Sequence, residues 1–320
     1  MTCYLRVVPE HPLQVWKFEG DQAFVAGVSN PETYPGGYFK ADPGETICAA
    51  LRRQASFWFV PDGQNPFHKM DLEPGQFYPR MARPTNDEPE SRPGLYPGAH
   101  AEANVIATAR GQLTALTRQL ESICRTVHPV DKTFGTFGHD IRNLLVLACT
   151  EVENHCRGIL LANSGSVEEG RHLNMNDYVV LRDAMKLDEY AIAFPAYPWL
   201  EAIAPLKGWG STAKPSRDLP WYDAYNAVKH NREREFERAT LQNAFSTVAA
   251  CVIITIAQFG LESVLVQASE LASFFQLTNC PRWSLSNIYV YPLGHIPNLS
   301  YTPAEWSAVP FSFDSRTDLD

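Results

Sequence analysis

The stretch Ala99-HAEANVIATARGQLTALTRQLESICRT-Val127 decides how the chain reads. Ile106, Ala109, Leu113, Leu116, Leu120, Ile123 and Val127 step by three and four, the spacing of one face of an α-helix. The register is close to a heptad, so the stretch predicts a long amphipathic helix with an apolar seam, ended by His128-Pro129. Toward the C-terminus, a second helix is expected from Phe134 or Gly138 to Leu161. Its stripe is Phe137, Ile141, Leu144, Ala148, Val152, His155 and Ile159, and Asn163-Ser164-Gly165 stops it. Two long helices with a short connection pack antiparallel.

Further on, residues 174–186 read as a short helix and Glu189–Phe194 as a strand; Pro195, Pro198 and Pro205 then force a loop to about Ser216. Asp218-Leu219-Pro220 supplies a cap residue and a first-turn proline, starting a helix that ends or kinks near Asn231. Another helix, Glu235–Phe259, keeps Leu241, Val248, Val252 and Phe259 in register. Its most apolar run, Ala244–Ala257, is 14 residues long and contains Ser246, Thr247 and Thr255. A membrane span needs roughly 18 or more apolar residues, so this is a buried core helix. A short helix near Ser263–Phe275 and a strand-like piece at Ile288–Tyr291 follow.

Upstream, Tyr4–Val8, Val15–Phe18 and Ala23–Val28 read as short strands, Gly44–Gln54 as a short helix and Ser56–Val60 as a strand. Residues 61–98 hold eight prolines and four glycines, a density that excludes helices and central strands. The expected fold is therefore mainly α. A helical bundle over 99–260 follows an irregular, β-containing N-terminal region (1–98) and precedes a C-terminal extension (261–320).

The formal net charge of −9 argues against a broad surface that coats nucleic acid, which needs a basic face, though it permits a local basic cleft. Seven cysteines, an odd number with no C-x-x-C, read as buried thiols in a reducing cytoplasm. The N-terminus carries no basic-then-apolar leader, so the expected location is cytoplasmic, with no membrane partner. No phosphate-binding glycine loop, nucleophile elbow or zinc-ligand spacing appears, and no cofactor is expected.

The informative constellation is Trp221-Tyr222-Asp223-Ala224-Tyr225-Asn226-Ala227-Val228-Lys229-His230-Asn231-Arg232. On a helix, Trp221, Tyr225 and Val228 face the core, while Tyr222, Asn226 and Lys229 or His230 share the other side. A face of Asn, Lys and His can bind an anion and move a proton. The ordinary pKa of histidine lies near neutrality, so His230 is the natural acid–base group, with Asn226 to orient it. Lys229, Arg232 and Arg142 are the cations available to a phosphate, Arg142 either facing this helix or pairing with a carboxylate. Residues 206–234 hold six basic side chains against three acidic ones, a positive island in an acidic chain.

The motif resembles that of the HEPN superfamily, whose signature is an arginine, a polar residue that is often asparagine, a few further residues and a histidine near a helix end. Asn226 and His230 match the polar residue and the histidine; the arginine position falls on Tyr225, a departure. The block also resembles uncharacterised bacterial proteins with a W-Y-x-x-Y-N-x-V-K-H core. The resemblance covers about residues 99–260 and implies an α-helical bundle. It further implies a metal-independent endoribonuclease or ribonuclease-like toxin effector, as in antiphage defence, with catalytic His230 and Asn226. Lys229, Arg232, Arg142 and Tyr225 would contact substrate. The implied partners are RNA or a nucleotide, a second copy in a symmetric dimer, or a partner defence protein. A non-catalytic HEPN-like binding or scaffold subunit is the alternative.

Overall fold

The computed structural model describes residues 1–8, 13–28, 30–33, 36–54, 65–90, 92–163, 173–293 and 305–311. They form two units, one of Met1–Phe77, Arg83–Ser91 and Trp283–Val309, the other of Tyr78–Ala82, Arg92–Arg282 and Pro310–Asp320.

The first unit is built on an antiparallel sheet. Its strands are Thr2–Arg6 (β1), Gln14–Glu19 (β2), Gln22–Val25 (β3), Tyr38–Lys40 (β4) and Phe67–Lys69 (β5), in the order β4-β3-β2-β1-β5. Side chains alternate between its faces as the pleat requires. Cys3, Leu5 and Val15 bury one face against Met70, Ile288 and Val290. Trp16, Ala23 and Phe67 bury the other with Phe39 and with Leu51 of the helix Ile47–Gln54 (α1). Gln76–Phe77 (β6) pairs in parallel with Ser307–Ala308.

This sheet corrects the mainly α reading: the chain is mixed α/β, about 46% helix and 14% strand. The physical reason is strand length. β4 and β5 are three residues each, too short to show a period of two, and β5 reaches β1 across some sixty residues. It joins at an edge, where the surrounding prolines are tolerated. Ile288–Tyr291 forms an isolated bridge, Thr85 to Tyr289, in place of a strand. Ser56–Val60 lies outside the described residues.

The second unit is helical. Ala103–Thr126 (α2) buries Ile106, Ala109, Leu113, Leu116, Leu120 and Ile123, the seam read from sequence. His139–Asn163 (α3) buries Ile141, Leu144, Ala148, Val152 and Ile159. Phe137 precedes α3 and is 49% exposed, so the stripe starts later than its sequence suggests. Then come the short helices Met175–Tyr178 (α4) and Val180–Met185 (α5), the strand Ala191–Ala193 (β7) and the short helix Pro215–Asp218 (α6). Pro220–His230 (α7) and Arg232–Glu235 (α8) lead to Leu241–Phe259 (α9), and Leu261–Val264 (α10), Glu270–Phe274 (α11) and Gln276–Asn279 (β8) complete the unit. β8 pairs antiparallel with β7.

α9 is the core. It packs on α2, α3 and α7 and is buried on nearly every side. Its composition would suit a membrane span, but 83% of that window is buried inside the unit, so it is a core helix here. It begins at Leu241 and not at Glu235 because Thr240 caps it, its side chain accepting from the Asn243 amide at 3.3 Å. Leu241 N donates to Thr136 O at 2.8 Å, tying that end to the α2–α3 connection. At the other end Gly260 sits at φ 86°, ψ 154°, where a methyl group would collide with the Gly94 carbonyl. Only glycine fits both demands.

Candidate functional site

α7 carries the motif. Pro220 occupies its first turn, where the missing N–H costs nothing. Asp218 does not cap it: the flanking residue is Leu219, and the Asp218 carboxylate accepts from the Thr212 hydroxyl at 2.5 Å and the Thr212 amide at 3.2 Å. Trp221, Tyr225 and Val228 are buried, and Trp221 Nε1 donates to Pro205 O at 2.8 Å. The apolar root of the helix is thus in the core, as its spacing predicts.

Tyr222 departs from expectation. It lies in the core instead of on the polar face, and its hydroxyl donates to Glu153 Oε1 of α3 at 2.5 Å. Burial, and then the Glu153 carboxylate, hold this phenol far above its usual range. Its ring lies 5.4 Å from that of Tyr225.

Tyr225 stands at the arginine position. Lys229, one turn on, donates from Nζ to Tyr225 Oη at 2.9 Å, and Nζ lies 5.0 Å from the centre of the Tyr225 ring. The bond to Tyr225, with the Glu153 carboxylate behind it, raises the Lys229 ammonium above its ordinary range. A fixed cation thus occupies the outer end of a polar row that starts at Glu153.

Asn226 is half-buried, and His230 and Arg232 are exposed. Among the described residues their side chains form no hydrogen bond or ion pair, so their polar atoms are open to solvent. Asn226 and His230 are four residues apart and share one face of α7. Arg238 pairs with Asp223 at 2.5 Å and with Glu235 at 3.7 Å, which removes it from the set of available cations.

Among the described residues Arg142 has no carboxylate partner. Nη1 donates to Asn143 Oδ1 at 3.3 Å, and the buried Nε–H finds no acceptor among the described residues. Tyr222 meets Glu153 at one end, while Phe236 packs on His139 at 5.0 Å at the other. The segment 222–236 therefore runs antiparallel to α3. Arg142, one turn beyond His139, lies toward the end of α3 that corresponds to Lys229, His230 and Arg232.

Glu153 is the residue that the sequence did not single out as a partner for this helix. Nothing local marks it; only the antiparallel register of α3 and α7 brings it to Tyr222. The seven cysteines are unbridged. Among the described residues no three of His, Cys, Asp and Glu come together in a way that could hold a metal.

The chain matches none of the family models, curated proteins or solved structures with which it was compared.

Proposed function

We propose that the exposed end of α7 is the active site of a HEPN-like, metal-independent endoribonuclease or ribonuclease-like toxin effector working in the cytoplasm. The carrying observation is that Asn226 and His230 share one open face beside an ammonium held in place by Tyr225. In the proposed reaction the ribose 2′-oxygen attacks the adjacent phosphorus. The O2′–P bond forms, the P–O5′ bond breaks, and the product carries a cyclic phosphate. The reaction needs one group to take the 2′-OH proton and another to give a proton to the leaving 5′-oxygen. His230 serves one of these roles, and a second copy in a symmetric dimer would bring the other imidazole. Lys229 and Arg232 offset the charge that builds on the phosphate, with Arg142 within the same end of the unit. Asn226 orients the phosphate or the imidazole.

A second reading has its own support. Tyr225 is 2% exposed and offers no permanent, bidentate cation where the resembling family has arginine. A non-catalytic module binding RNA, a nucleotide or a partner protein through the same face fits that departure.

Induced expression separates the two. The ribonuclease reading predicts that the wild-type chain arrests bacterial growth and that His230→Ala relieves the arrest at equal protein level. Arrest that persists in His230→Ala rules out catalysis by His230 and favours the binding module.

A further inference from the structure

Phe137 stands just outside α3 and keeps 49% of its side chain in solvent. Its backbone is nevertheless held firmly. Phe137 and Thr240 form an antiparallel bridge, and the amides of Leu241 and Gln242 donate to the Thr136 and Phe134 carbonyls at 2.8 and 3.1 Å. The chain leading into Phe137 is thereby tied to the start of α9. The ring itself stands perpendicular to that of Phe236, with centroids 6.0 Å apart. Phe236 is half-buried and lies 5.0 Å from the ring of His139, which is exposed. Three rings thus form one cluster, and the two outer ones face water from a fixed frame.

A single exposed ring is ordinary surface. This cluster differs in what the neighbouring turns carry. Arg142 follows His139 by three residues on α3, and Arg232 precedes Phe236 by four, at the start of α8. Neither arginine pairs with a carboxylate among the described residues, while Glu235 is taken by Arg238 at 3.7 Å. Asp140, Glu233 and Glu237 stand on the same segments, so the cations act singly and not as a broad basic field. Exposed rings with separate cations suit a ligand that offers a flat π-face beside a phosphate, which describes an unpaired nucleotide. A duplex keeps the faces of its bases stacked and cannot use the rings.

We propose that Phe137 and His139, propped by Phe236, form a stacking platform for an unpaired base of single-stranded RNA, with Arg142 and Arg232 on the adjoining phosphates. The proposal rests on the reading of α7 as an RNA site and adds the form of RNA that the site takes.

The test is binding to the full-length His230→Ala protein, which leaves RNA uncut. The probes are a short oligoadenylate carrying 2-aminopurine and the same strand annealed to its complement. The single strand should bind saturably with a change in 2-aminopurine fluorescence, and the duplex at least about fivefold more weakly. Phe137→Leu, which keeps an apolar side chain without a π-face, should weaken the single strand about fivefold or more, and Phe137→Tyr should preserve binding. Unchanged circular dichroism and urea midpoints establish that these surface variants are folded. Single-strand binding undiminished in Phe137→Leu, or a duplex bound equally well, overturns the platform and leaves the α7 site standing. Failure of both RNAs to bind overturns the reading of α7 as an RNA site and the platform with it.

Discussion

Lys229 donates to the Tyr225 hydroxyl at 2.9 Å, across one turn of α7. The tyrosine is buried and the lysine exposed, so the bond fixes a surface charge to a core side chain. If this ammonium meets RNA phosphate, Lys229→Met should weaken binding of a single-stranded RNA to the His230→Ala protein several-fold and reduce its salt dependence by about one phosphate contact. Tyr225→Phe, which keeps the charge and frees it to move, should weaken binding less. Anisotropy titrations at several salt concentrations check both, and an unchanged salt slope in Lys229→Met would remove the lysine from the site.

Tyr222 and Glu153 form the inner part of the same row. Tyr222→Phe removes a donor from a half-buried carboxylate and should cost about 1–3 kcal/mol of stability. Urea unfolding measures it. A loss near zero would mean that water replaces the hydroxyl freely.

His155 gives the fold a dependence on pH. Its ring lies between α3 and α9, with Gln258 Nε2 at 2.9 Å from Nδ1 and Thr255 Oγ1 at 3.4 Å from Nε2. Glu151, Cys251 and Gln112 of α2 share the crevice. Burial, and then the charge of Arg80, lower its pKa from 6.5 to about 4. Between those values the unfolded chain binds more protons than the folded one, so stability falls as pH drops through the window. The full loss is up to about 3 kcal/mol, reached near pH 4. Denaturation at pH 7.5 and 4.5 should show it, and His155→Gln should flatten that part of the profile.

Two glycines predict opposite outcomes. Gly260→Ala places a side chain in a glycine-only conformation against the Gly94 carbonyl and should cost at least about 1–3 kcal/mol. Gly111→Ala has open space and should stabilise by up to about 1 kcal/mol. Equal effects of the two in urea unfolding would contradict the backbone argument.

What the sequence revealed, and what it hid, follows from range. The seams of α2 and α3 and the buried helix α9 were legible because their signals repeat every three or four residues within one element. The aromatic root of α7 was legible for the same reason. Three of the sheet's five strands were legible as short apolar or alternating runs; β4 and β5 were not, since strands of three residues carry almost no periodicity and the partner of β5 is distant. Tyr222 read as polar because α7 alone does not reveal that α3 offers it Glu153. The start of α9 moved to Leu241 because one threonine cap outweighed the apparent continuity of the charged run before it.

Single-turnover cleavage of a mixed total-RNA substrate in EDTA, by wild type beside His230→Ala, decides whether α7 carries a ribonuclease site. Such a site gives cleavage by the wild type, products ending in a cyclic phosphate, and loss of at least about a hundredfold in rate in the variant. Equally fast cleavage by His230→Ala would mean that His230 is not its acid–base group.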